Sequence, residues 1–307
     1  FSSVVLHVVL FPPQPGEPEA VTSTGIRPPA CALLETLHFG LEEYAEQEAV
    51  RRFCGDGDRA LGDVYAGLSL EERENRLRNH ASERWEAKLK WAAKRLQGTS
   101  WRESCHQFLW EVLGYHRNRA VMGSLALEHP LSALENHLPD PDELFSSKSG
   151  EWKLAGIRPA NHPLRRLRQY MEMVSRNFHW PSQALQFASA LAPGGELEKT
   201  SQFRKNRGMP QKRKEIADEI TAGAIGGNRF NTWMVDGMLP LLAAATGKDL
   251  YGWWFHWYAG DAPDRLIHFL REAGATGKSG SPFCNGWVQG GLGAVTALAD
   301  LDNQVED

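Results

Sequence analysis

The 307-residue chain contains only four cysteines, Cys31, Cys54, Cys105 and Cys284, with no Cys-x-x-Cys pair and no histidine at metal-ligand spacing. That excludes a disulfide framework and a structural zinc site, and predicts free, mostly buried thiols of a reducing compartment. No run of about eighteen apolar residues occurs. The most apolar window, Thr232 to Ala245, is short and carries Asp236. Excess charge is missing as well: 34 basic against 38 acidic residues leave −4. The global field therefore does not favour nucleic acid or an anionic membrane, and any such binding has to be local. The opening Phe-Ser-Ser-Val-Val-Leu run has neither the basic flank nor the small-residue cleavage site of a signal peptide.

Reaction-defining motifs are equally scarce. There is no Gly-x-Ser-x-Gly and no His-Glu-x-x-His. Gly274 to Ser279 imitates a phosphate loop, but Glu272 stands where its first glycine is needed. Asp56, Asp58 and Asp63 imitate a calcium loop, but Leu61 and Gly67 occupy its glycine and glutamate positions, so a capped turn is expected. No catalytic residue, metal or cofactor is assigned on these grounds.

What is present is helical punctuation. Val4 to Leu10 is the one β signal, stopped by Pro12 and Pro13, and Gln14 to Pro29 reads as a Pro-rich linker. A lone strand needs a partner, either short strands further along or strands upstream of Phe1. From Ala30 the pattern is helical. Ser69-Leu-Glu-Glu72 is a capping box ahead of the stripe Leu77, Ala81, Trp85, Leu89, Ala92 and Leu96, with Gly98 as the stop. Ser100-Trp-Arg-Glu103 repeats the device, with Gly114 as a left-handed cap and Asn118 opening the next helix. The short link predicts an antiparallel pair. Asp140-Pro141 marks a further start. Other helices are predicted over Leu33–Cys54, Asn118–Glu128, Pro163–Phe178, Pro181–Leu191, Lys214–Ala222, Thr232–Ala245 (kinked near Pro240), Pro263–Ala273 and Trp287–Leu301. The expected fold is mainly α, a multi-helix domain of antiparallel helix pairs (residues 31–307). A short N-terminal β-strand remnant and linker (residues 1–30) of a fuller upstream α/β unit precedes it.

Three stretches belong together: Arg84-Trp85…Lys94-Arg95 leading to Leu113-Gly-Tyr-His-Arg-Asn-Arg-Ala-Val-Met122, Gly156-Ile-Arg-Pro-Ala-Asn-His-Pro-Leu-Arg-Arg-Leu167, and Ile225-Gly226…Met238-Leu-Pro-Leu-Leu242. With the Val5-Leu-His-Val-Val9 strand they resemble a bacterial group, protein-of-unknown-function family 2851, over nearly the whole chain. Arg-Pro-Ala-Asn-His-Pro is the most specific motif. The family carries an acidic, His-rich region before the strand, and tends to have Asn where this chain has Asp236. The resemblance implies a bacterial protein but no reaction, because no activity is assigned to the family.

Arg158, Asn161, His162, Arg165 and Arg166 form the most informative chemical segment. Arg165 and Arg166 fall in the first turn of the helix opened by Pro163, where the dipole is positive and cations are unfavourable unless an anion is near. A cup for a phosphate or carboxylate is the sharp expectation, with Arg119 converging on it; the alternative is pairing with acids of a neighbouring helix. His162 is expected as a capping residue. Arg204, Lys205, Arg207, Lys212, Arg213 and Lys214 contain no acid between them and are a candidate nucleic-acid patch, although no aromatic residue is interleaved; a solvated loop is the plainer expectation. Among the eleven tryptophans, Trp85, Trp101, Trp110, Trp253, Trp254 and Trp257 are expected to pack helices rather than hold a ligand.

Two functions follow. One is a cytoplasmic helical scaffold or interaction module whose partner is an acidic protein segment or a phosphate-bearing ligand, without a membrane. The other is the helical part of a metal-dependent nucleic-acid-processing enzyme with its carboxylates upstream of Phe1.

Overall fold

A computed structural model describes residues 6–9, 20–32, 48–51, 53, 59–194, 198–275 and 283–305. The chain divides into two units, Phe1–Asp56 and Gly57–Asp307. In the first, β1 (His7–Val9) runs parallel to β2 (Ala30–Ala32), with Val8 opposite Cys31. The missing partner of the β signal is thus in the chain itself, on a segment the sequence predicted to begin the helical part. Parallel pairing needs a long return, and the Pro-rich stretch supplies it. Residues 48–51 and 53 are helical; the rest of the helix expected over Leu33–Cys54 lies outside the described residues.

In the second unit α1 (Arg59–Ala66) contains Asp63, so the expected capped turn is a helix there; Asp56 and Asp58 lie outside the described residues. Helix α2 (Leu70–Gly98) begins with both halves of the Ser69–Glu72 capping box and buries Leu77, Ala81, Trp85 and Ala92, as the stripe requires. It ends at Thr99, which is extended (φ −145°), so Gly98 is helical and not the stop. Helix α3 (Trp101–Glu128) is broken at Tyr115 (φ 60°, ψ 176°). Its Ser100 hydroxyl accepts from the Glu103 N–H, but the Glu103 carboxylate turns away to accept from Leu131 and Ser132 at 2.9 and 3.1 Å. Those N–H groups open α4 (Leu131–Leu134), whose N-cap is Pro130 and brings no side-chain acceptor of its own.

Next come α5 (Pro141–Ser147), capped by Asp140, and a 3₁₀ turn at Pro159–Asn161 leading into α6 (Pro163–Arg176). Then follow α7 (Trp180–Ser189), α8 (Thr200–Asn206) and α9 (Met209–Glu215). A π-turn at Ile216–Ile220 continues α9, and a second at Met234–Met238 joins α10 (Gly227–Trp233) to α11 (Leu239–Thr246). The chain closes with α12 (Tyr251–His256), α13 (Asp264–Glu272) and α14 (Asn285–Val305). Helix α2 packs along α14 and α11, and meets α3 where Trp91 and Arg95 lie on Phe108. The close α2–α14 approach needs Gly290, where a Cβ would fall 2.2 Å from the Leu77 carbonyl oxygen. No helix among the described residues is long and apolar enough to cross a membrane.

Tryptophan is core material here, as expected. Trp110, Trp180, Trp233, Trp253, Trp254 and Trp257 are fully buried, and the Trp253 and Trp254 indoles donate to the carbonyls of Ala192 and Val235 at 2.8 and 2.7 Å. Cys105 and Cys284 are buried free thiols, while Cys54 lies outside the described residues.

One buried polar group makes the core sensitive to acid. His106 is fully buried on α3; its Nε2 donates to the His129 carbonyl (2.9 Å), so in the neutral ring Nδ1 accepts from the Tyr170 hydroxyl. Burial holds its pKa down at about 4 against 6.5 unfolded. The unfolded chain then takes up the proton first as pH falls, so this contribution is complete above pH 6.5 and is lost progressively toward pH 4. A shift of that size corresponds to about 3 kcal/mol. Urea midpoints at pH 7 and 4.5 should therefore differ more in the parent than in His106→Asn; equal differences would show that His106 does not carry the effect.

Candidate anion site

The break in α3 organises the site. Gly114 does not take a left-handed conformation as predicted; it is needed bare, because a Cβ would lie 2.8 Å from Met122 Cγ and 2.9 Å from Arg119 Cα. The reversal falls on Tyr115 instead, a residue for which positive φ costs on the order of 1–3 kcal/mol. Asn118 does not cap the following helix either. It is buried, and its side-chain amide pairs with the Lys153 backbone, accepting from N (2.8 Å) and donating to O (3.3 Å). Arg117 adds a bond to the Ala155 carbonyl. The loop before α6 is thereby tied to the break in α3.

Within this frame a continuous chain of hydrogen bonds forms. Arg166 donates to Gln169 Oε1 (2.8 Å) and to Asn161 Oδ1 (2.7 Å). The Asn161 amide in turn reaches the Tyr115 hydroxyl, which donates to Asp261. From the other side Arg229, on α10, donates to Asp261 Oδ2 (2.8 Å) and to the Val112 carbonyl (3.1 Å), with its guanidinium 3.4 Å over the Tyr115 ring. Burial alone would raise the Asp261 pKa, but the bonds from Arg229, Tyr115 and Asn228 hold it below the usual carboxylate range. Burial pushes the Tyr115 phenol up, so it stays a protonated donor. Burial and the nearby charge of Arg229 bring Arg166 down to about 10, still a cation at neutral pH.

Arg166 is 9% exposed and Arg229 6%, and the Nε of each lacks an acceptor among the described residues. The acid partner considered for this segment exists for Arg168, which holds Asp142 at 2.9 Å, but not for Arg166, whose bonds go to neutral amides. Two buried guanidinium ions thus face one carboxylate, an arrangement short of one negative charge.

No protein-family model, curated protein or solved structure matches the chain.

Of the residues anticipated for this site, Asn161 and Arg166 meet. Arg158 and Arg165 are exposed; Arg165 is close enough for its charge to bear on Arg166. His162 occupies the N-cap of α6 without a side-chain capping bond, and its ring packs 5.4 Å from Phe145, so the capping expectation is corrected. Arg119 goes elsewhere, to Glu111 at 3.4 Å. Tyr115, Gln169, Arg229 and Asp261 were missed. Tyr115 lies between Gly114 and Asn118, both marked in the sequence; Gln169, Arg229 and Asp261 have no local signal.

The basic segment is also corrected. It is not a loop but α8 and α9, joined at Gly208 with φ 60°. Arg204 donates to the carbonyls of His256 (2.9 Å) and Trp257 (3.1 Å), and Arg213 donates to Asn231 (2.9 Å). Lys214 pairs with Asp218 at 2.7 Å, Arg207 lies 3.9 Å from Glu198, and Lys212 sits 5.8 Å over Phe187. Lys205 is exposed. Among the described residues no group of three His, Cys, Asp or Glu is placed to hold a metal. A groove of about 510 Å³ between α7 and the Ile216–Ile220 turn contains none of the anticipated site residues.

Proposed function

We propose that the helical unit is an interaction module that accepts an anionic group at Arg166 and Arg229, as a cytoplasmic bacterial member of family 2851. The observation that carries this reading is Arg166: nine-tenths buried, held by two neutral amides, and with no carboxylate bonded to it among the described residues. Arginine is costly to bury unpaired, and a planar guanidinium pre-oriented by Asn161 and Gln169 is suited to an oxyanion. The competing enzyme reading drew in part on the basic segment, in which Arg204 and Arg213 are engaged in tertiary hydrogen bonds.

Calorimetry with inorganic phosphate tests the proposal. Arg166→Gln removes a charge-assisted contact of about 1.5–3 kcal/mol, so affinity should fall roughly tenfold to a hundredfold. Binding that is unchanged in a folded Arg166→Gln variant would sink the assignment.

A further inference from the structure

We propose that the groove between α7 and the Ile216–Ile220 π-turn is a second binding site, and that its ligand is a neutral saccharide. The groove holds about 510 Å³, within the roughly 300–1,000 Å³ of small-molecule sites, and is lined by Gln183, Gln186, Phe187, Ile216, Glu219 and Ile220. Asn177, which follows α6, ties its two walls together. The Asn177 amide donates to Gln183 Oε1 on α7 (2.7 Å) and to the backbone carbonyls of Glu219 (2.7 Å) and Ile220 (3.1 Å) on the π-turn. The width of the opening is therefore set by the fold before any ligand arrives, which lowers the cost of binding.

The lining divides into an apolar floor and a polar rim. Ile216 and Ile220 are buried, Phe187 is half-buried, and Glu219, on the same π-turn as the two isoleucines, is exposed. The rim carries donors and acceptors together. Gln183 Oε1 is taken by Asn177, which leaves the Gln183 Nε2 as a donor. Gln186 offers both a donor and an acceptor, and Glu219 offers its carboxylate oxygens; both side chains are exposed and unbonded among the described residues. Lys212 Nζ lies 5.8 Å over the Phe187 ring, near the outer limit of a cation–π contact, so it borders the groove on a flexible stem and adds a donor there.

A sugar ring is the complement of such a lining. Its C–H faces are apolar and suit Ile216, Ile220 and Phe187. Each hydroxyl around its edge donates and accepts at once, as a serine hydroxyl does, and so suits a rim of mixed polarity. Charge argues for a neutral sugar: Glu219 and Lys212 offset each other, so neither an anion nor a cation finds a net attraction. A helical peptide fits less well, because helix-in-groove binding uses a row of apolar anchors and only three apolar residues line this groove.

Saturation-transfer NMR of the whole chain with glucose, galactose, mannose, N-acetylglucosamine, maltose and cellobiose tests this, with affinities taken from titrations of the sugars that respond. At least one should bind, with the strongest transfer to ring C–H protons, which face Phe187. Gln186→Ala, at an exposed position where the fold is safe, should weaken that sugar roughly twofold to tenfold, the loss of one hydrogen bond. Phe187→Leu keeps an apolar side chain, and should weaken binding and redistribute the transfer; its melting temperature checks that it folds. Glucosamine and glucuronate, cationic and anionic relatives of the neutral sugars, should bind no more tightly than these do. Arg166→Gln should leave sugar binding unchanged, so the groove and the anion site stand or fall separately. No binding by any of the six sugars, or binding unaltered in both Gln186→Ala and folded Phe187→Leu, overturns the assignment. Tighter binding of glucosamine overturns it in favour of a cation site at Glu219.

Discussion

Gly237→Ala is expected to lower the melting temperature by roughly 6–12 °C, which for a chain of this size corresponds to about 3 kcal/mol. Gly237 lies in the π-turn between α10 and α11, and a Cβ there would sit 1.7 Å from Cε1 and 2.0 Å from Cδ1 of Phe108. The ring has little room to retreat. It is 1% exposed, meets Trp91 edge-on at 5.1 Å, and lies beneath the guanidinium groups of Arg95 at 5.6 Å and Arg119 at 5.9 Å. One methyl group must therefore displace either the turn or the ring together with its two cations. Phe108→Leu in the same chain should restore part of the loss, giving a non-additive double-mutant cycle. An alanine variant that melts within a degree or two of the parent would show that ring and turn do not meet in this way.

The π-turns mark where sequence reasoning stops. Pro240 announces an irregular helix, since it has no N–H for the carbonyl four residues back and crowds that carbonyl. That the irregularity takes the form of five π residues packed on Phe108 depends on the opposing helix and has no local signature. The caps divide in the same way. Ser69 with Glu72 and Asp140 with Pro141 are local devices, readable from four residues, and both form as read. Glu103 is not local: Pro130 starts α4 without a capping side chain, and the carboxylate that serves it comes from 28 residues away. Gly114 reads as a glycine needing freedom of φ, whereas it is a glycine needing the absence of a side chain, and the positive φ falls on Tyr115. The candidate site was half legible for the same reason. Asn161 and Arg166 are five residues apart on one turn and helix start, so their contact follows from local geometry. Arg229 and Asp261 reach them only through the packing of α10 beside the break in α3.

Glu111→Ala is expected to cost about 3–5 kcal/mol, the loss typical of removing one member of a buried ion pair. The Glu111 carboxylate is 8% exposed and is shared by Arg95, on α2, and Arg119, beyond the break, the latter at 3.4 Å. Arg95 is further fixed by stacking 4.7 Å over Trp91, so it cannot follow the missing charge outward without losing that contact. Removal leaves two poorly solvated cations near Phe108, whereas Glu111→Gln keeps the acceptor oxygen and the volume and should cost less. The position of the pair gives the substitution a second consequence. Glu111 precedes Tyr115 by four residues and Arg119 follows it by four, so their bond spans the reversed residue and ties the two halves of α3 together. Loosening it should let Tyr115 relax from φ 60° and carry its hydroxyl away from Asn161 and Asp261, so phosphate affinity should fall in Glu111→Ala although Glu111 touches neither Arg166 nor Arg229. Denaturant midpoints and phosphate titrations on the same three proteins separate the outcomes: loss of stability with unchanged affinity would mean that the pair braces the core but does not set Tyr115.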